Sequence, residues 1–323
     1  MQRSSNEEVG FNYWMKWQVP VCGLIIAIPT AIAIKFIKSK PRNPQSHNLN
    51  EILWISCWRN LNPKWLLLYR ALAFLSMAYL LFQMLLFSGL FAFYFYTQWT
   101  FALVMVYFAL GTIVSARGCL MSSKKSPTEN TENDKFLKNS SEGNGSDSAM
   151  NSREKENRIS DVDEANERAG ILESLMDITY QISAGASVLT DLVFWFILVP
   201  MLAGKQFELT LLIGFIHSLN AVFLAIDSLF NALPFEWFGF VYFILWSATY
   251  VTFQWILHAF GLKWWPYPFL DLSTPSAPLW YLGLALIHVP CYGVYFLFVK
   301  AKNAIFSKLF QRAFVRSQHL KAA

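Results

Sequence analysis

Charge is scarce in this sequence. Asp, Glu, Lys and Arg make up 15% of its 323 residues, against about 25% in an average soluble domain. The shortage argues against a soluble domain, and the basic residues that remain form no nucleic-acid face. Cysteine is also sparse. Cys22, Cys57, Cys119 and Cys291 lie far apart with no CxxC pair, which excludes a disulfide framework. The five histidines are too scattered to define a metal site, so neither a metal nor a cofactor is expected. HExxH, GxSxG, P-loop, GxGxxG and EF-hand patterns are absent. No internal repeat is evident, which weighs against an inverted-repeat transporter. No cleavable leader is expected either. Residues 1–18 are polar and aromatic, and the apolar run after them ends in charges rather than small residues.

What is present is apolar. Hydrophobic residues make 55% of the chain and aromatic residues 17%. A membrane-crossing helix needs about 20 mostly apolar residues. Seven runs qualify: Val19–Ile37, Trp65–Leu85, Trp99–Ala116, Tyr180–Leu202, Glu208–Leu229, Trp237–Leu257 and Leu279–Val299. The apolar LFSGLFAFYFYTQ joins the second and third as a half-buried connector. Trp and Tyr cluster near several ends, as in KWWPYP and PLWYL, where an aromatic belt belongs. The expected fold is therefore an all-α polytopic bundle of seven transmembrane helices.

Seven crossings put loop 38–64, loop 117–179 and the C-terminus on one side. That side carries Lys38, Lys40, Arg42, Arg59, Lys64, Arg117, Lys124 and Lys125, and then the basic C-terminal residues from Lys300 to Lys321. The other side carries Arg3, Lys16, Lys205 and Lys263. The positive-inside rule then places the N-terminus outside or lumenal and the C-terminus in the cytosol. Residues 121–169, rich in Ser, Asn, Glu and Lys, divide helices 1–3 (residues 1–120) from helices 4–7 (170–299). Their composition predicts a disordered cytosolic loop. Residues 300–323 alternate bases with Ile, Leu and Phe, which predicts a basic amphipathic tail lying on the membrane.

Ionisable groups inside spans are costly, so each is a candidate site. They are Arg70, Asp191, His217, Asp227 and His288. Thr97, Gln98 and Thr100 sit at the outer edge of the third span. In FIHSLNAVFLAID, His217, Asn220, Leu224 and Asp227 follow helical spacing and share one face. A rise of 1.5 Å per residue puts His217 roughly 12–14 Å below the outer edge, close to the depths of His288 and Asp191. Arg70 and Asp227 have comparable depth near the opposite end, which predicts a structural ion pair. Polar side chains can also simply join helices by hydrogen bonds.

The strings LNPKWLLLYRALAF, FYTQWTFALVMVYFALGTIVSA, SAGASVLTDLVFWFILVP, IHSLNAVFLAIDSLFNALPF and WPYPFLDLSTPSAPLWYLGLALIHVP resemble the plant members of the rolling-stone-like membrane proteins. This resemblance covers most of the chain outside residues 121–169 and implies a multi-pass membrane protein without a defined activity. A more distant similarity, carried by FYT and IHSLN, is to the androgen-induced family of membrane hydrolases of lipid esters. It implies Thr97 as nucleophile and His217 as base, with Asn220 or Gln98 as donors to an oxyanion. Thr100 is an alternative hydroxyl, and Asp191 and His288 are further binding candidates. A third reading is a carrier or receptor-like binder of a small or lipidic ligand. Membrane lipids are the expected partners in every case.

Overall fold

The computed structural model describes residues 11–39, 53–125, 148–202 and 210–315. Seven helices in it are long and apolar enough to cross a membrane: Gln18–Ser39, Pro63–Tyr94, Tyr96–Ser123, Gly170–Met201, Leu211–Phe230, Trp237–Ala259 and Ala277–Leu309. They fall on the seven apolar runs, and no β-strand occurs among the described residues. The principal helices are α1 (Gln18–Ser39), α2 (Pro63–Ser88), α3 (Tyr96–Lys125), α4 (Ser148–Val193), α5 (Leu211–Ile216), α6 (Leu219–Phe230), α7 (Phe240–Ala259) and α8 (Ala277–Leu309). Within the loop expected over 121–169, residues 126–147 lie outside the described residues, and helix is assigned from Ser148.

Local chemistry sets several boundaries. Asn62 caps α2, its side chain accepting from the Lys64 N–H at 3.0 Å, and Pro63 supplies a first-turn residue that needs no donor. The helix ends at Gly89, whose φ of 59° and ψ of −157° suit glycine almost alone. A 3-10 segment, Gly89–Tyr94, then leads into α3.

The exterior is apolar: Leu72, Leu75, Phe82 and Leu86 of α2 all face outward. In water such a surface would aggregate; in lipid it is the required exterior. Helices α3 and α4 form the centre. α3 packs against α2 and α4, and α4 also contacts α7 and α8. α1 lies outermost, on α7 and α8. The main core joins Phe101, Tyr107 and Phe108 of α3 to Tyr180 and Ala184 of α4, Phe243 of α7 and Tyr292 of α8. Gly185 permits the close approach of α4 to α7 and α8. A Cβ there would meet the Phe243 ring at 2.7 Å.

Three sequence expectations need correction. The fifth span is not one continuous helix. It breaks at His217–Ser218, between α5 and α6. Nearby, the fourth span loosens into a π turn at Phe194–Leu198. The second correction concerns Thr97, expected at the outer edge. The connector before α3 dips inward: the Tyr94 carbonyl accepts from Tyr250 Oη at 2.7 Å and Gln254 Nε2 at 2.9 Å. Tyr250 lies nine residues inside the end of α7, about 14 Å along its axis. Thr97, in the first turn of α3, is therefore deep.

The third correction concerns the tail. From Lys300 the chain does not start a separate surface helix. α8 runs unbroken to Leu309, and the segment after it docks on the loop before α2. Arg59 N–H donates to Ala313 O at 2.8 Å, and Val315 N–H to Cys57 O at 2.8 Å. Phe306, Phe310 and Phe314 pack around Trp58. Residues 316–323 lie outside the described residues.

Candidate functional site

Two spaces meet inside the bundle. The inner one is an almost wholly apolar cavity of about 90 Å³, with Tyr96, Thr97, Thr190, Ser247, Tyr267 and His288 among its walls. The outer one is a cleft of about 510 Å³ between α1, α7 and α8. Leu24 and Ile28 of α1, and Leu282 and Leu286 of α8, line the cleft and are themselves exposed at the bundle surface. Its mouth therefore faces the lipid. Ser247, Val251, Leu270, Leu284 and His288 line both spaces.

His288 stands at the junction. Its Nδ1 lies 2.6 Å from Leu284 O, and its Nε2 lies 2.8 Å from Ser247 Oγ. A carbonyl can only accept, so Nδ1 carries the proton and Nε2 presents a lone pair. Ser247 then donates to Nε2, and its oxygen accepts from Tyr96 Oη at 2.9 Å. Leu284 O is the carbonyl four residues before His288. Pro290 frees a different one, that of Leu286, so the proline does not explain the contact.

The N-terminus of α3 faces the same cavity. Tyr96 N–H donates to Tyr267 Oη at 3.1 Å, and the Thr97 side chain lies beside that phenol. Tyr267 belongs to the connector between α7 and α8. Burial pushes its phenol up to about 12, so it caps the helix as a neutral group. Thr190 Oγ1 bonds Ala186 O at 2.7 Å and Thr100 Oγ1 at 3.2 Å, tying Thr100 into the α3–α4 contact.

The other expected site residues separate into groups. His217 is buried but does not line the cavity. Its ring stacks on Phe194, a cavity wall, with centroids 3.5 Å apart and planes 5° apart. No hydrogen bond joins Thr97 to His217, and among the described residues the buried His217 Nδ1 has no partner. Gln98 Oε1, Asp191 Oδ1 and Asn220 Oδ1 are likewise buried and unpartnered. Asn220 Nδ2 bonds Ile216 O at 3.2 Å, back across the helix break.

Arg70 and Asp227 lie at the opposite end of the bundle and are fully buried, with Nε to Oδ1 at 3.0 Å. Arg70 Nη1 also donates to Ser115 Oγ at 2.8 Å and Leu53 O at 3.0 Å. Tyr107 and Asn231 both donate to Asp227 Oδ2. Lys302 Nζ reaches Ser228 O at 2.7 Å and caps the end of α6. This network ties together α2, α3, α6 and α8 and opens onto neither space.

Ser247, Tyr96 and Tyr267 escaped sequence reasoning. A serine in LWSATY is unremarkable, since hydroxyls in membrane helices commonly bond their own backbone. A depth comparison could have found it. Ser247 lies twelve residues inside the end of α7, and His288 eleven inside the start of α8, or about 18 and 17 Å from the same face. Among the described residues no group of three or more His, Cys, Asp and Glu is placed to hold a metal. No family model, curated protein or solved structure matches the chain.

Proposed function

We propose that this is a multi-pass membrane protein of the rolling-stone-like kind that takes a single long acyl chain from the bilayer into the α1–α7–α8 cleft. The observation behind this reading is that the cleft and the cavity share Ser247 and His288 in their walls. An apolar cleft with a lipid-facing mouth runs inward to hydroxyl and imidazole groups at its end. Its volume of about 510 Å³ falls within the roughly 300–1,000 Å³ usual for ligand pockets. The apolar walls suit a chain, and the buried polar end suits an ester or carboxyl head. The reading favours a lipidic ligand over a small polar one, because the lining is almost wholly apolar. In membrane orientation, the basic end with Arg59, Lys64 and Lys308 faces the cytosol.

The test is photo-crosslinking in nanodiscs with a lipid carrying a diazirine on a single acyl chain. Labelled peptides should come from α1, α7 and α8. Ala248→Trp or Ala285→Trp, each filling the cleft, should lower labelling at least tenfold. Labelling spread evenly over the lipid-facing surface and unchanged by either tryptophan would overturn the reading.

A further inference from the structure

At the inner end of the cleft, one serine is held between an imidazole and a phenol. We propose that Ser247 is an acyl-accepting nucleophile and His288 its general base, acting on esters of long-chain fatty acids. The inference rests on the acyl-chain reading above and adds chemistry to it.

Three observations carry it. The first is tautomer. Leu284 O fixes the proton on Nδ1, so Nε2 has its lone pair toward Ser247 Oγ, 2.8 Å away. That distance and protonation state are those a base needs to take a hydroxyl proton. The second is direction. Because Ser247 gives its only proton to His288, the Tyr96 phenol donates to the serine oxygen, 2.9 Å away. The same O–H can turn to an oxyanion forming one bond further out, and Thr97 lines that side of the cavity too. The third is access. Ser247 and His288 line both the cleft and the cavity, so a chain lying in the cleft brings its ester to the serine.

The reaction balances without any group beyond water. Ser247 Oγ attacks the ester carbonyl carbon while His288 Nε2 takes the hydroxyl proton. The tetrahedral centre collapses, the bond to the alcohol oxygen breaks, and His288 returns the proton to that oxygen. The acyl group is now esterified to Ser247. Water, deprotonated by His288, attacks this ester. Ser247 regains its proton, and a fatty acid leaves. The cavity of about 90 Å³ has room for such a water, whose share of liquid volume is about 30 Å³.

The test uses the full chain in nanodiscs and a fluorophosphonate with a long alkyl chain, read by intact mass and peptide mapping. One adduct is expected, on Ser247. It should vanish in Ser247→Ala, fall at least a hundredfold in rate in His288→Gln, and persist in Thr249→Ala, an exposed hydroxyl two residues away. Should alanine unfold the bundle, Ser247→Cys decides. It must lose the fluorophosphonate adduct and gain one from a long-chain thiol reagent on the same peptide. An adduct on Thr97, equal labelling of wild type and Ser247→Ala, or an unmodified Cys variant would overturn the assignment. If no serine adduct forms while the photo-lipid still labels the cleft, the nucleophile falls and the acyl-chain reading stands. If both are absent, both fall.

Discussion

Single residues in this molecule are held by what surrounds them in an apolar interior. Arg70 and Asp227 are the clearest case. Removing one partner strands a charge in a fully buried position. Arg70→Met or Asp227→Leu alone should lower stability by about 3–5 kcal/mol, while the double variant should lose far less than the sum. Unfolding in micelles followed by circular dichroism would check this, and additive losses would contradict it. Outside the spans, Cys57 gives a pH prediction. Burial lifts its thiol to about 11, and the nearby Lys302 ammonium only partly offsets this. The thiolate forms as pH rises, so alkylation at pH 8 should be roughly a hundredfold slower than for an ordinary cysteine of pKa about 8.5. It should quicken only near pH 11. Fast alkylation at pH 8 in the folded protein would count against it. The ion pair could be read from sequence because both partners are costly and lie at matching depth. Ser247 is harder to read, since a lone hydroxyl in an apolar helix stands out only when its depth is set beside that of His288.

At the scale of elements, composition reveals a span but hides its defects. Apolar length places all seven spans to within a few residues at most ends. The break at His217–Ser218 and the π turn at Phe194–Leu198 are invisible to it, because each is set by its packing partner: Phe194 of one lies flat on His217 of the other. The inward dip of the connector before α3 escaped for the same reason, since it depends on acceptance from Tyr250 and Gln254 on a distant helix. Gly89 tests the stop that precedes this dip. Gly89→Ala puts a Cβ into a backbone region nearly exclusive to glycine and should cost about 1–3 kcal/mol. Thermal unfolding would report it, and an unchanged midpoint would show that the turn can relax. The docked segment after α8 is a second test. Trp58→Ala removes the ring that Phe306, Phe310 and Phe314 enclose. It should free residues 310–315 to proteolysis and cost roughly 2 kcal/mol.

At the scale of the whole molecule, the expected orientation can be tested, because seven crossings would put the two ends on opposite sides of the membrane. A reporter fused after Ala323 should read cytosolic and one before Met1 should read outside or lumenal; both on one side would exclude seven crossings. The order of the helices carries a further consequence. α1 is synthesised well before its main neighbours, α7 and α8. About 200 residues separate α1 from α7, and at about 5–20 residues per second α1 waits on the order of ten to forty seconds for its partners. The cleft has no walls until they arrive. A nascent chain stalled before Ala277 is already threaded through the bilayer, but it has nowhere to receive a lipid. A cleft walled by α1, α7 and α8 therefore exists only once α8 has been made.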